Sequence, residues 1–254
     1  MKHALVTAGS KGLGRKVTEM LIKEGYVVTI SYRSDRASVD ALKTDLDVDR
    51  DKLLAVQADV TKSDDIERLF RTAIDHFGRL DVLVNNAGPY IFERKKIYDY
   101  TNAEWDEMIM GNLTSMFQMV KYALPVMRKQ QYGRIIAYGF QDVGHAPGWL
   151  YRGPYGAAKA GLASFIKTLA LEEAPYGITA NMVVPGKIVG EMKEASIEAS
   201  RQIPDEQTPV GRSGTGEDIA RTIAFLIHED ADMVTGSIVE VTGGVDVLHQ
   251  RRHE

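Results

Sequence analysis

The run His3-Ala4-Leu5-Val6-Thr7-Ala8-Gly9-Ser10-Lys11-Gly12-Leu13-Gly14 decides the fold. Residues 3–7 read as a short buried strand. The glycines suit a tight turn, and Val17, Met20 and Leu21 then recur at helical spacing until Gly25 closes the helix. In such a strand–turn–helix the glycines let the backbone approach a pyrophosphate, and the helix N-terminus offers free N–H groups and a positive dipole end. The same glycines also serve a plain turn that needs positive φ, so the loop alone leaves both readings open.

Working outward, a second strand spans Val27–Tyr32. An acidic residue at its end would grip the ribose 2′-hydroxyl of NAD. Here Ser31-Tyr32-Arg33-Ser34 stands instead, with no carboxylate until Asp35. Arg33 and Lys11 supply positive charge where a 2′-phosphate would lie, with Ser34 beside them, so the expected cofactor is NADP(H). Residues 36–52 read as an exposed helix and loop. Leu53–Val60 is a third strand ending in Asp59-Val60. A helix over 63–77 turns Ile66, Leu69, Phe70, Ile74 and Phe77 inward, and Leu80–Val84 is a fourth strand running into Asn85-Asn86-Ala87-Gly88. Strands alternating with amphipathic helices predict an α/β fold, a single Rossmann-type doubly wound parallel sheet of about seven strands with helices on both faces. Ligands then bind at the carboxyl ends of the strands, where the glycine loop, Asp59 and Asn86 all fall.

Residues 89–101 are irregular and carry Glu93-Arg94-Lys95-Lys96, a cluster that is either solvated or able to receive an acidic partner. One long helix over 102–129 follows; Asn112 inside it is a mediocre helix former and needs a reason. Residues 134–139 form a fifth strand, and a loop rich in Gly and Pro leads into a helix ending near 174. Residues 177–184 form a sixth strand ended by Pro185-Gly186. Residues 187–209 are polar and helix-prone, as a substrate lid would be. A helix over 216–228 and a strand over 237–242 complete the sheet, giving one domain over 1–254.

Tyr155-Gly156-Ala157-Ala158-Lys159 places Tyr155 and Lys159 on one helical face. A free tyrosine has pKa ~10. An ammonium one turn away favours the phenolate and moves that value toward neutrality, which suits proton transfer to or from an oxygen. Most Tyr/Lys pairs at this spacing are helix surface; this one gains meaning from the motifs around it.

The chain has 254 residues, 44% hydrophobic and 26% charged, as a globular protein does. A net charge of −4 provides no field for nucleic acid or an anionic membrane, and no apolar run is long enough to span one. There is no cysteine, which excludes disulfides, thiolate metal sites and Cys nucleophiles. The histidines show no metal-ligand spacing, so no metal is expected. With no signal-peptide layout at the N-terminus, a cytoplasmic location is the expectation.

With these motifs in order, the chain resembles the short-chain dehydrogenase/reductase family over nearly its whole length, closest to the bacterial 3-oxoacyl-(acyl-carrier-protein) reductase-like branch. The tail fits as well, with Gly211-Arg212, Glu217-Asp218-Ile219-Ala220, Thr235-Gly236 and Gly243-Gly244. The resemblance implies that Thr7, Gly9, Ser10, Lys11, Gly12, Leu13 and Gly14 hold the cofactor phosphates. Asp59 and Val60 would meet the adenine, and Asn86-Ala87-Gly88 the ribose side. Lys159 would also hold the nicotinamide ribose, and Pro185, Gly186 and Ile188 would flank the nicotinamide. Tyr155 would protonate a carbonyl oxygen as hydride arrives, and Asn112 would anchor the water that refills the proton through Lys159. The resemblance also implies association as a tetramer or dimer through the helices at 102–129 and 155–174.

Three positions depart from the family pattern. Ala8 stands where the family opens its turn with glycine. The active-site serine is missing: reading forward along the strand its place falls on Phe140, counting back from Tyr155 it falls on Asp142, and no Ser or Thr lies between 134 and 154. Loss of one such donor costs about 10²–10³ in rate. Gln141 is the candidate replacement, its amide N–H₂ donating to the carbonyl. Finally, Gly190 stands where the family often has a threonine. Trp149, Tyr151 and Tyr90 are expected to wall the substrate pocket. The expected function is NADPH-dependent reduction of a ketone or aldehyde, with 3-oxoacyl chains among the substrates considered. The alternatives are a nucleotide-binding regulatory protein with little catalysis, or an enoyl reductase.

Overall fold

The structure, a computed structural model, describes residues 1–48 and 51–248. The expectations at 49–50 and over the tail 249–254 lie outside the described residues. The elements are β1 (His3–Val6), α1 (Gly12–Lys23), β2 (Val27–Tyr32), α2 (Arg36–Leu46), β3 (Leu53–Gln57), α3 (Ser63–Phe77), β4 (Val82–Asn85), α4 (Asn102–Ile109), α5 (Ser115–Gln130), β5 (Gly133–Tyr138), α6 (Gly153–Glu173), β6 (Ile178–Pro185), α7 (Ile197–Arg201), α8 (Gly216–Ile227) and β7 (Ile238–Val241).

All seven strands lie parallel in one sheet, in the order β3-β2-β1-β4-β5-β6-β7. The apolar runs of β1, β4 and β5 are buried on both faces, as a covered parallel sheet requires. On one face Val17 and Leu21 of α1 pack with Ile219 and Ile223 of α8. On the other, Leu69 and Phe70 of α3, Met116 and Val120 of α5 and Ile166 of α6 share a core with Leu5 and Ile135. The strand order reverses between β1 and β4, and a crevice opens there at the carboxyl ends. The glycine loop and residues 86–88 both sit on its rim.

The expected long helix is broken. A π-helical turn, Met110–Thr114, separates α4 from α5, and Asn112 lies in it. Its amide Nδ2 donates to Met108 O (3.1 Å) and Pro89 O (3.0 Å), while a Cβ at Gly111 would lie 2.3 Å from Pro89 Cδ. The wider turn lets the loop after β4 lie against the helix backbone; such turns recur at functional sites. The third strand stops at Gln57 rather than Val60. Past it, Asp59 N–H donates to Asp65 Oδ2 (2.8 Å) instead of to a neighbouring strand.

His3 is buried in β1. Its ring bonds Arg79 O through Nδ1 (2.5 Å) and Thr29 Oγ1 through Nε2 (2.9 Å). Burial pushes its pKa down to about 4, against the pull of Arg79 O and Asp81. In the unfolded chain it would titrate near 6.5. As pH falls through 6.5 the unfolded state takes up a proton that the folded state refuses until about 4, so stability is lost across that window, by roughly 3 kcal/mol. Thermal melts from pH 7 to 4.5 should show this slope in the native protein and a flatter one in His3→Asn. Equal slopes would contradict it.

Candidate active site

The glycine loop is held against β4 by one amide. Asn86 Nδ2 donates to Thr7 O (3.0 Å) and Ala8 O (3.2 Å). Thr7 Oγ1 accepts from Ala87 N–H (2.8 Å) and donates to Asn85 Oδ1 (3.3 Å). A Cβ at Gly14 would fall 2.3 Å from Ala8 O and 2.6 Å from Asn86 Nδ2, so only glycine fits. Ala8 itself takes φ 50°, a left-handed conformation that L side chains tolerate at some cost. Gly9 cannot be replaced for a different reason: its Cβ would strike Ile30 at 2.5 Å. The missing glycine is thus absorbed by strain at Ala8 while the turn keeps its path.

The N-cap residue Lys11 makes no side-chain cap of α1, and a carboxylate from elsewhere in the chain takes the first N–H instead. Gly12 N–H donates to Glu194 Oε1 (2.6 Å), and Arg15 Nε lies 3.7 Å from the other carboxylate oxygen. Glu194 comes from residues 187–209, the expected lid. That segment also docks through Ile197 N–H to Glu217 Oε2 (2.6 Å) and Ser200 Oγ to Ser213 O (2.6 Å). Ser10 is buried in the loop, and Leu13 packs beside the α1 core.

At the end of β2, Asp35 is fully committed. Its Oδ1 caps α2 by accepting Ser38 N–H (3.1 Å), and its Oδ2 pairs with Lys11 Nζ (3.1 Å). These bonds hold its carboxyl down at about 2. Each oxygen thus carries one partner, and the pair with Lys11 engages the cation expected to meet a 2′-phosphate. Arg33 and Ser34 are exposed, and the Arg33 side chain makes no ion pair among the described residues. Asp59 Oδ1 accepts from both N–H (3.0 Å) and Oγ1 (2.8 Å) of Thr61, and Val60 is buried beside it. Across the crevice, Gly186 lies so near β7 that a Cβ would meet Thr242 Cα at 2.7 Å, and Ile188 folds back through its N–H onto Gly186 O (3.0 Å).

Tyr155 and Lys159 project from the first turns of α6, which Pro154 opens. Lys159 Nζ lies 5.6 Å from the Tyr155 ring centroid. The expected lowering of the phenol is not what this geometry gives. Burial pushes the Tyr155 phenol up, and pushes the Lys159 ammonium down to about 8. Desolvation drives both shifts, and Tyr90 adds to that of the phenol; Lys159 is buried and Tyr155 half-buried. Lys159 makes no hydrogen bond or ion pair among the described residues. Asn112 Oδ1 is buried without a partner, 2.4 Å from where a Cβ on Gly88 would lie. A buried acceptor with nothing to accept is suited to an ordered water or a ligand hydroxyl.

The place of the absent serine is apolar. Phe140 is buried and stacked on Trp149, with ring centroids 5.1 Å apart. Gln141 turns elsewhere: its Oε1 accepts Val247 N–H (2.5 Å), tying the amide to the C-terminal segment. Asp142 bonds His145 through its carboxylate and Glu240 through its N–H. Tyr90, Trp149 and Phe140 surround the Tyr155 ring at 4.9, 6.0 and 6.4 Å. Tyr151 lies farther out, under Arg94 (5.0 Å). Lys95 is consumed by Glu104 (2.5 Å) and Glu93 (3.3 Å), which leaves Arg94 and Lys96 as the exposed cations of that cluster.

Sequence reading missed two residues of this site. Arg152 stands one turn before Tyr155 and was legible as a cation at the helix entrance. Glu194 had no local signal, because it arrives from a segment 182 residues away. Its carboxylate and a dinucleotide phosphate want the same N–H. Glu194→Gln should therefore tighten NADPH binding about 2–5-fold, the worth of one charge at a helix N-terminus, by fluorescence titration. Unchanged or weaker binding would contradict this.

A family model described as enoyl-(acyl carrier protein) reductase matches residues 7–246. The chain is 59% identical over 253 residues to the Bacillus subtilis oxidoreductase YtkK, covering 99% of each. A solved structure described as a 3-oxoacyl-reductase from Bacillus thuringiensis superposes with TM-score 0.93 at 56% identity, covering 98% of this chain and 100% of that one. A variant of the actinorhodin polyketide ketoreductase, solved with NADPH, superposes with TM-score 0.82 at 30% identity, covering 96% and 97%. An oxidoreductase with a Rossmann-like sheet, this chain belongs to the short-chain dehydrogenase/reductase family.

Proposed function

We propose that the chain is an NADPH-dependent reductase of ketones or aldehydes, with 3-oxoacyl thioesters as the leading substrate class. The observation that carries this is the buried Lys159 beside a half-buried Tyr155 on α6, with Tyr90 and Trp149 packed around the Tyr155 ring. The residues present fit a dinucleotide. Gly12 and Gly14 shape a helix N-terminus whose first N–H a phosphate would take over from Glu194, Arg33 is the cation free for a 2′-phosphate, and Asn112 Oδ1 awaits a donor. When bound, the reduced cofactor supplies a hydride to the carbonyl carbon. Tyr155 keeps its proton at neutral pH because burial disfavours its phenolate, and gives it up only as charge develops on the substrate oxygen. The Lys159 ammonium then stabilises the phenolate left behind and relays a proton toward it by way of a water on Asn112. Arg94 and Lys96 lie at the mouth, where a phosphorylated or carrier-linked acyl chain would enter. A cytoplasmic setting belongs to the same reading; no helix among the described residues is long and apolar enough to cross a membrane. Phe117 and Leu171, half or more exposed on α5 and α6, offer apolar surface for a dimer or tetramer.

Enoyl reduction is the second reading. The apolar Phe140 favours it, since the serine's donor is gone, and the matching family model carries that description.

NADPH oxidation over a panel of carbonyl and enoyl compounds tests the proposal. Tyr155→Phe should lower turnover by about 10²–10⁴. Arg33→Ala should lower the preference for NADPH over NADH about tenfold or more, as loss of a charged hydrogen bond does. The kcat/KM for NADPH should fall as pH rises through about 8, where Lys159 loses its proton, and Lys159→Arg should move that limb upward. Full turnover by Tyr155→Phe would end the proposal.

A further inference from the structure

We propose that Tyr90 is the second hydrogen-bond donor to the substrate carbonyl oxygen, positioned by Arg152. The inference rests on the carbonyl-reductase reading above. Reduction places negative charge on that oxygen before the proton from Tyr155 has fully arrived, and a second fixed donor lowers the barrier.

Tyr90 is the ring nearest to Tyr155, with centroids 4.9 Å apart and planes at 84°. Its hydroxyl oxygen accepts the Arg152 Nε–H at 2.6 Å. The guanidinium is itself fixed by the carbonyls of Glu93 (2.8 Å), Tyr151 (2.9 Å) and Phe92 (3.0 Å). It meets no carboxylate among the described residues, and it also lies over the Tyr90 ring at 5.1 Å. A hydroxyl that accepts from a cation becomes a stronger donor. No acceptor for the Tyr90 proton lies within hydrogen-bond distance among the described residues, so that proton is available to a ligand.

The other candidates point away. Gln141 is tied to Val247, and Asp142 carries negative charge toward His145. Tyr138, whose buried hydroxyl lacks a partner, packs on the opposite face of the sheet with Ile188 and Ile219. The Trp149 indole is farther from Tyr155, at 6.0 Å. In the step itself, hydride from the reduced nicotinamide forms a C–H bond at the carbonyl carbon and the C=O π pair moves to oxygen. The Tyr155 O–H bond breaks to protonate that oxygen. The Tyr90 O–H bond stays intact throughout.

The test uses the full chain with NADPH and two probes, acetoacetyl-coenzyme A and 9,10-phenanthrenequinone. Tyr90→Phe should lower kcat about 10²-fold, with NADPH affinity within twofold of native and an unchanged melting temperature. Arg152→Gln should lower kcat about tenfold with a smaller change in KM, and Arg152→Lys should restore part of it. Trp149→Phe, which also reshapes the pocket wall, should lower kcat less than Tyr90→Phe does, and Tyr138→Phe, on the opposite face of the sheet, should leave kcat within a fewfold of native. Native kcat in Tyr90→Phe, or a loss matched by equal losses in NADPH affinity and melting temperature, would overturn the inference. So would a 10²-fold loss in Trp149→Phe alone, which would make the indole the donor. If Tyr155→Phe is dead and Tyr90→Phe is normal, only this inference fails. If the native protein binds NADPH but reduces neither probe, or Tyr155→Phe is fully active, the reductase reading falls and takes this inference with it.

Discussion

The site depends on the Asn86 amide spanning the carbonyls of Thr7 and Ala8. β1 and β4 are neighbours at the point where the sheet reverses its order, and their ends would otherwise splay. The amide closes them, and Gly14 completes the closure by bringing α1 so near that a methyl group would collide with Ala8 O. From that junction the rest follows. The N-terminus of α1 and residues 86–88 meet at the rim of the crevice, and the loop after β4 is drawn across to the π turn where Asn112 sits. The loop then carries Tyr90 over to the first turn of α6.

Burial governs the chemistry of that first turn. Tyr155 and Lys159 are each pushed toward the neutral form, the phenol upward and the ammonium downward, because the lysine is buried and aromatic rings crowd the half-buried phenol. A phenol in this state is a proton reservoir, not a standing base. Its acidity becomes useful only when charge appears on a nearby oxygen and the lysine can answer it. The apolar Phe140–Trp149 stack sharpens this by excluding water. It also removes a donor, and the hydroxyl beside the Tyr155 ring that accepts from a cation is that of Tyr90, on Arg152.

Much of this was legible in the sequence. The glycine turn between a buried strand and a helix fixed the first βα unit, and alternation fixed the parallel sheet, because both depend on local pattern. That Tyr155 and Lys159 share one face of α6 was legible from their spacing. The break at Met110–Thr114 was not: a π turn keeps the helical period of apolar residues almost intact, and only Asn112 hinted at it. The strand after Leu53 stopped early because Asp59 N–H found the Asp65 carboxylate, a side-chain competitor that periodicity does not register. Gln141 was a candidate donor by chemistry; that its amide oxygen would accept from Val247 in the C-terminal segment left no local trace. Glu194 on Gly12 is a contact between distant segments and left no local trace.

The most direct measurement follows the hydride. NADPH carrying two deuterons at C4 of the nicotinamide is turned over with acetoacetyl-coenzyme A, and the product is analysed by mass spectrometry and NMR. The account predicts one deuterium per product, on the carbon that carried the ketone oxygen, with a solvent proton on the oxygen. Absence of deuterium at that carbon would contradict it.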